Sequence, residues 1–309
     1  MTEEGVFHAG EIAVQERAGE RAIARRRESI IGDHLVDGAR AFLSEQGVAA
    51  VSAETPDGAL WASMWCGTPG FISSRDDGSR VEISAALHHT HASDPVRRAI
   101  RTDGPLGIVV IDFATRRRMR INGTVRRADA NGVDVAVREV FGNCPKYIQR
   151  RQRIDDAAGG AQEQEQSGGA LDADRRRFIA QADTMFVASI HPARGLDVSH
   201  RGGNPGFVQV QDECTLRIPD YPGNSMFQTL GNFDVDARAG LALIDFERNR
   251  VLSLTGSARS EFGADDPRVP TNGTGRYWSF NVERWLEFPL PAKMQWTLIE
   301  RSPLNPRSP

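Results

Sequence analysis

From position 48 onward, apolar residues come in short runs or alternate with polar ones, and Gly, Pro and Asp separate the runs. Residues 48–53, 60–64, 70–74, 80–84, 106–113 and 118–126 share this pattern, which predicts a string of antiparallel strands. Before them the period is helical. Residues 10–29 predict an amphipathic helix, and residues 34–45 a second one that brings Phe42 and Leu43 to one side. Residues 94–102 interrupt the strands as a short helix, with Asp94 as N-cap and Pro95 at the first position. Residues 133–140 add a strand, and 145–153 read as helical.

Residues 155–170 (DDAAGGAQEQEQSGGA) carry almost no large apolar group and predict a linker or exposed loop. A helix over 172–182 follows. Strands resume at 185–190, 196–199, 206–211, 214–218, 240–246, 250–259, 277–288 and 295–300. The second stretch repeats the first. Gly67-Thr-Pro-Gly-Phe71 returns 136 positions on as Gly203-Asn-Pro-Gly-Phe207. Gly107-Ile-Val-Val-Ile-Asp-Phe113 returns 133 positions on as Gly240-Leu-Ala-Leu-Ile-Asp-Phe246, and Asn122-Gly123 meets Thr255-Gly256 at that same shift. Two landmarks in register within three residues identify a tandem duplication. About six strands with a helix or two per copy suit a small closed barrel more than an open sheet.

The 309 residues give two domains room for a core each. With 38 basic and 41 acidic residues, a net charge of −3 and a pI near 6.2, nucleic acid and anionic lipid are poor partners. Arginines 25–27, 116–118 and 175–177 sit among acids and read as solvated faces. Cys66, Cys144 and Cys214 are an odd number at spacings that fit neither CxxC nor a disulfide framework. No apolar h-region follows the N-terminus and no run has membrane-spanning length, so a cytoplasmic protein is expected. The sequons at Asn122 and Asn272 mean little without secretion.

The copies differ where chemistry would sit. Ser63 matches Ser199, but Trp65 stands where the second copy has Arg201. The second copy continues with Leu216-Arg-Ile-Pro-Asp-Tyr-Pro-Gly-Asn-Ser225, whereas the first has Val81-Glu-Ile-Ser-Ala-Ala-Leu-His-His-Thr90. Pro222-Gly223 fits the centre of a type II turn that presents Asn224 and Ser225. A guanidinium beside such a turn meets the needs of a phosphomonoester, two charges and several lone pairs. The same residues also suit a surface ion pair and an ordinary turn.

At these positions the chain resembles the pyridoxamine 5′-phosphate oxidase-related, FMN-binding split-barrel family. Ser199-His-Arg-Gly-Gly-Asn-Pro-Gly-Phe207 is similar to that family's S-x-R-G-x-x-P-G-F strand and turn, and Ile218-Pro-Asp-Tyr-Pro-Gly-Asn-Ser225 to its I-P-D-x-P-G-N segment. Gly231-Asn232, Asp245-Phe246 and Leu254-Thr-Gly256 follow in order. Phe141-Gly-Asn-Cys-Pro-Lys-Tyr-Ile-Gln-Arg150 resembles its segment around Cys-x-Lys, and Phe7-His-Ala-Gly-Glu11 resembles tandem members.

The resemblance implies a mainly β fold of tandem duplicated six-stranded antiparallel split β-barrels with peripheral helices. It divides into a helical segment (1–40), a first barrel (41–154), a linker (155–171) and a second barrel (172–309). FMN is expected between the barrels, with Ser199, Arg201, Asn224 and Ser225 on one side and Lys146, Gln149 and Arg150 on the other. The symmetry-related site pairs residues 85–91 with 287–290. It has lost its turn and its cations together, so one competent site per chain is expected.

The implied activity is that of an FMN-dependent oxidoreductase acting on a small molecule, with NADH or NADPH as candidate electron donor. The chain is then a monomeric pseudo-dimer or a homodimer. Two rivals stand: a non-catalytic module binding flavin or pyridoxal phosphate, and a split barrel holding deazaflavin or haem, with His200 as axial ligand. His88, His89 and His91 have no further ligand at zinc spacing and read as a polar loop. Cys144 is a candidate reactive thiol, with packing as the other reading. Trp278, Phe280 and Trp285 read as core. No Rossmann or P-loop fingerprint is present, and no Ser-His-Asp set is visible.

Overall fold

The computed structural model describes residues 5–85, 88–155, 165–264, 266–290 and 294–306. In the first copy, helix α3 (Asp37–Ser44) precedes strands β1 (Val48–Glu54), β2 (Leu60–Gly67), β3 (Ile72–Ser74), β4 (Arg80–Ser84) and β5 (His88–His89). Helix α4 (Pro95–Ala99), β6 (Pro105–Asp112), β7 (Arg117–Asp129), β8 (Gly132–Asn143) and β9 (Arg150–Asp155) complete it. After a short β10 (Gln166–Gly168), the second copy runs through α5 (Ala173–Gln181), β11 (Thr184–His191), β12 (Gly195–Gly202), β13 (Gln209–Val210) and β14 (Thr215–Pro219). It ends with α6 (Gln228–Val235), β15 (Arg238–Asp245), β16 (Arg250–Phe262), β17 (Arg276–Pro289) and β18 (Met294–Glu300). Two helices, α1 (Ala9–Arg17) and α2 (Arg21–Arg25), precede all of these.

The strand order shows the duplication. The first sheet runs β3-β4-β8-β7-β6-β1-β2-β5, and the second runs β13-β14-β17-β16-β15-β11-β12. Each is a path with two ends, a split barrel, not a ring closed all round. The register repeats as well: Gly107 faces Asn122 as Gly240 faces Thr255. Both long hairpins slip by a bulge at the same place, Asn122/Gly123 and Thr255/Gly256. The last strands of the two copies, β9 and β18, pair with each other.

Glycine sets how closely the barrels meet. A Cβ on Gly107 would stand 2.9 Å from the Asp197 carbonyl carbon, and one on Gly240 would stand 2.6 Å from the Leu60 carbonyl oxygen. These are equivalent positions on equivalent strands, so the interface has twofold character. Phe113 and Phe246, also equivalent, meet edge-on at 5.3 Å. Leu241, Leu243, Trp278 and Phe280 fill the second barrel, and one apolar cluster joins the first barrel's core to Phe186, Val198 and Ala242 of the second.

Several sequence expectations change. Residues 10–29 are not one helix: the chain breaks after α1 at Gly19 (φ 70°). Residues 145–153 are a turn leading into β9 rather than a helix, because β18 offers a strand to pair with. Within 155–170, Gln166–Gly168 forms a strand against β17; residues 156–164 lie outside the described residues. Helix α6 was not expected. Its Gly231 lies against α1, where any Cβ would meet the Glu11 backbone at 2.6 Å, so packing overrides poor intrinsic propensity.

Candidate functional site

A cleft opens where the first barrel's β7 and the 143–147 loop face the second barrel's β12 and the turn after β14. Its enclosed volume is about 70 Å³, in about 710 Å³ of empty space when the open solvent at its mouth is counted. Of the expected residues, Ser199, Arg201, Asn224 and Lys146 line it. Lys146 Nζ donates to the Pro222 carbonyl at 3.4 Å, and Asn224 Nδ2 donates to Asn143 Oδ1 at 3.2 Å, tying the two barrels' loops together.

Ser225, Gln149 and Arg150 do not join them. Ser225 turns its hydroxyl to Glu20 Oε2 at 2.5 Å and lines a neighbouring cavity. The Gln149 amide is fully buried and committed: it donates to the carbonyls of Tyr147 and Gly203, and its oxygen accepts the Ser302 N–H at 2.8 Å. Arg150 is exposed, with Nε on the Ala114 carbonyl. The expected type II turn is also corrected. Positive φ falls at Ser225 (63°) and Phe227 (60°), whereas Gly223 has none. The Pro-Gly turn that does take this form is Asn204–Phe207, with Gly206 at φ 87° and its repeat in Gly70 at 90°.

The sequence reading missed the two arginines that dominate the cleft. Arg118 and Arg120 alternate on β7, with Met119 and Ile121 in the core between and beyond them. Arg118 Nη1 donates to His200 Nδ1 at 2.8 Å and to the His200 carbonyl at 3.2 Å. Arg120 reaches Gln228 Oε1 at 2.6 Å, Asp197 Oδ2 at 3.2 Å and the Ser199 hydroxyl. Their R-x-R spacing inside an apolar strand was the available signal; reading 116–118 as a solvated cluster hid it. Arg175 is likewise buried, against Glu287 at 3.2 Å.

The electrostatics follow from burial. Burial, then the Arg120 and Arg201 charges, push the Arg118 guanidinium down to about 9, still protonated at neutral pH. Burial lifts the Asp197 carboxyl, and the Arg120 charge opposes that shift. Burial and the Arg118 and Arg201 charges hold His200 well below the usual imidazole range, so it is neutral. Because arginine only donates, Nδ1 of that neutral ring must accept, and Nε2 carries the proton. His200 Nε2 and the Nε atoms of Arg118, Arg120 and Arg201 are shielded and have no partner among the described residues. Arg201 contacts Asp220 at 3.5 Å, a carboxylate Arg276 already holds at 2.9 Å.

Solved structures of similar fold include HupZ of Group A Streptococcus (12% identity, TM-score 0.29, covering 43% of this chain and 98% of that one). Another is a Clostridium acetobutylicum protein of the pyridoxinephosphate oxidase family, related to a general stress protein of B. subtilis (11% identity, TM-score 0.29, 41% and 92%). A third is an F420 reductase (14% identity, TM-score 0.25, 35% and 90%). The tandem split-barrel architecture stands on the chain's own repeated strand order and register. At these identities the likeness is one of fold. No protein-family model and no curated protein matches the chain.

Elsewhere, Cys144 lines the cleft, and Trp278, Phe280 and Trp285 are buried in the second barrel. His91 stacks on Phe288 at 6.2 Å; the side chains of His88 and His89 lie outside the described residues. Among the described residues no helix is long and apolar enough to cross a membrane.

Proposed function

We propose that the cleft binds flavin mononucleotide and that the protein is an FMN-dependent oxidoreductase. One observation carries the reading: Arg118, Arg120, Lys146 and Arg201 line the cleft, and no described carboxylate does. Such a cleft calls for an anion, and its shielded, partnerless N–H groups call for oxygen acceptors. Arg201, Lys146 and the Asn224 amide would hold the phosphate, and Arg118 with His200 the polar edge of the ring. A bound flavin supplies the hydride and electron chemistry.

The chain's own residues supply order around it. Gln228, Asp197 and Ser199 fix Arg120, and Arg118 fixes the His200 tautomer. That tautomer leaves Nε2 a donor with no lone pair for iron, which weighs against haem held by His200. The electron donor, with NADH and NADPH as candidates, and the small-molecule substrate stay at the level of the sequence expectation.

The purified protein should show a flavin spectrum, and heat should release FMN. Arg201→Ala should weaken retention by roughly 1.5–3 kcal/mol, the worth of a charged hydrogen bond. Retention unchanged in that variant would remove the anchor. Bleaching of the bound flavin by NADH or NADPH supports an oxidoreductase, whereas inertness to every reductant makes the protein a flavin-binding module.

A further inference from the structure

We propose that a second cavity, walled by Arg151, Phe246 and Trp296, binds a small monoanionic carboxylate carried on a flat apolar body. The cavity holds about 390 Å³ and shares no lining residue with the cleft. It lies where β9 and β18 pair beside the start of β11.

Arg151 is 7% exposed. Its Nη2 donates to Asp183 Oδ2 at 2.6 Å, and its guanidinium carbon lies 4.1 Å from the Phe246 ring centre. Its Nη1 is shielded and has no acceptor among the described residues. The Trp296 indole Nε1–H is in the same condition. Buried donors left unmade cost free energy, and a ligand oxygen is the natural remedy.

The shielded Arg151 guanidinium points to an anionic acceptor. Asp183 also faces Arg301 at 3.5 Å, and its other oxygen accepts the Thr184 hydroxyl at 2.9 Å. Asp183 thus serves two guanidiniums, and Asp245, the other inner carboxylate of the wall, is held by Arg250 at 3.2 Å and Arg248 at 3.8 Å. Glu247 and Arg248 are exposed at the rim. The walls favour a flat body: Trp296 stands edge-on to Phe246 at 5.2 Å, and Phe178 lines the same space. A planar carboxylate matches the fork of a guanidinium whose Nη1 is still without an acceptor among the described residues.

The test uses the full chain, labelled with nitrogen-15, and benzoate as probe. The chain has five tryptophans, and none lines the cleft, so the Trp296 indole signal, assigned with Trp296→Phe, reports on this cavity alone. Benzoate should shift that resonance saturably and leave the other indoles in place. Benzyl alcohol, similar in shape but neutral, should not saturate. Arg151→Gln should raise the apparent Kd about tenfold or more, as expected for a charge-assisted pair. Where that variant fails to fold, the exposed Arg301→Gln decides, with a rise of about threefold in Kd. The proposal is overturned if benzoate leaves the Trp296 signal unmoved, if benzyl alcohol binds as tightly, or if a folded arginine variant binds benzoate unchanged.

Discussion

The two barrels meet across a pseudo-twofold axis, so each feature of one junction has a counterpart at the other. On the first barrel's β7 stand Arg118 and Arg120; the same positions of β16 are Val251 and Ser253. On β12 stands Arg201; the same position of β2 is Trp65, 1% exposed, in one cluster with Val251, Phe288 and Leu290. The Trp65 indole donates to the buried Asp94 at 3.0 Å, and the Ser63 hydroxyl does so at 2.5 Å. One junction keeps cations around a cleft, and the other has turned its equivalents into core. In a symmetric dimer a single mutation alters both sites. Duplication within one chain lets one junction carry stability while the other keeps buried, charged residues that the proposed binding would use.

Breaking the comparison most severely means putting the cation back. Trp65→Arg would bury a charge in an apolar cluster near Asp94, and should cost about 3–5 kcal/mol in urea denaturation. A loss below about 1 kcal/mol would show that the second junction is not core. Arg118→Met, smaller in its effect on the fold, should leave the denaturation midpoint nearly unchanged and yet lower flavin retention by roughly 1.5–3 kcal/mol. A fold that collapses with no change in retention by the surviving native fraction would make Arg118 structural.

The glycine pair sharpens the symmetry itself. Gly107→Ala and Gly240→Ala should each destabilise by about 1–3 kcal/mol through overpacking, and by similar amounts. A large effect at one and none at the other would mean that the barrels do not meet as equivalents.

The last test concerns pH. Burial raises the Glu11 carboxyl to about 8 and lowers His8 to about 4, within the N-terminal capping box of α1. Glu11 binds its proton more tightly in the folded state. Its contribution is therefore full below about 4.5 and is lost as pH rises to about 8, at up to roughly 1.4 kcal/mol per pH unit. His8 acts oppositely, losing stability as pH falls from 6.5 to about 4. Glu11→Gln should flatten the slope between about pH 6.5 and 8 and, between about pH 4.5 and 6.5 where the two effects oppose, leave the His8 loss uncompensated. An unaltered alkaline slope, measured by denaturation across that window, would place the titration elsewhere.

What the sequence disclosed follows the strength of each local signal. The repeat was legible because β-strand landmarks hold both residue type and spacing: Gly107 and Gly240 are fixed by close backbone approach, and Gly70 and Gly206 by positive φ. Ser199, Arg201 and Asn224 drew attention through the comparison of the two copies and Lys146 through the family resemblance, and all four line the cleft. Gln149 and Arg150 were misplaced because strand pairing with β18, a contact 150 residues distant, decides where β9 points its side chains. Arg118 and Arg120 were missed for a related reason. A strand's charged face looks solvated until its neighbour is known, and here the neighbour is the other barrel.

Flavin content per polypeptide tests the central claim most directly. Protein reconstituted with excess FMN and freed of unbound cofactor should retain one flavin per chain, held at the arginine-lined junction. Two flavins per chain, or none, would contradict the account.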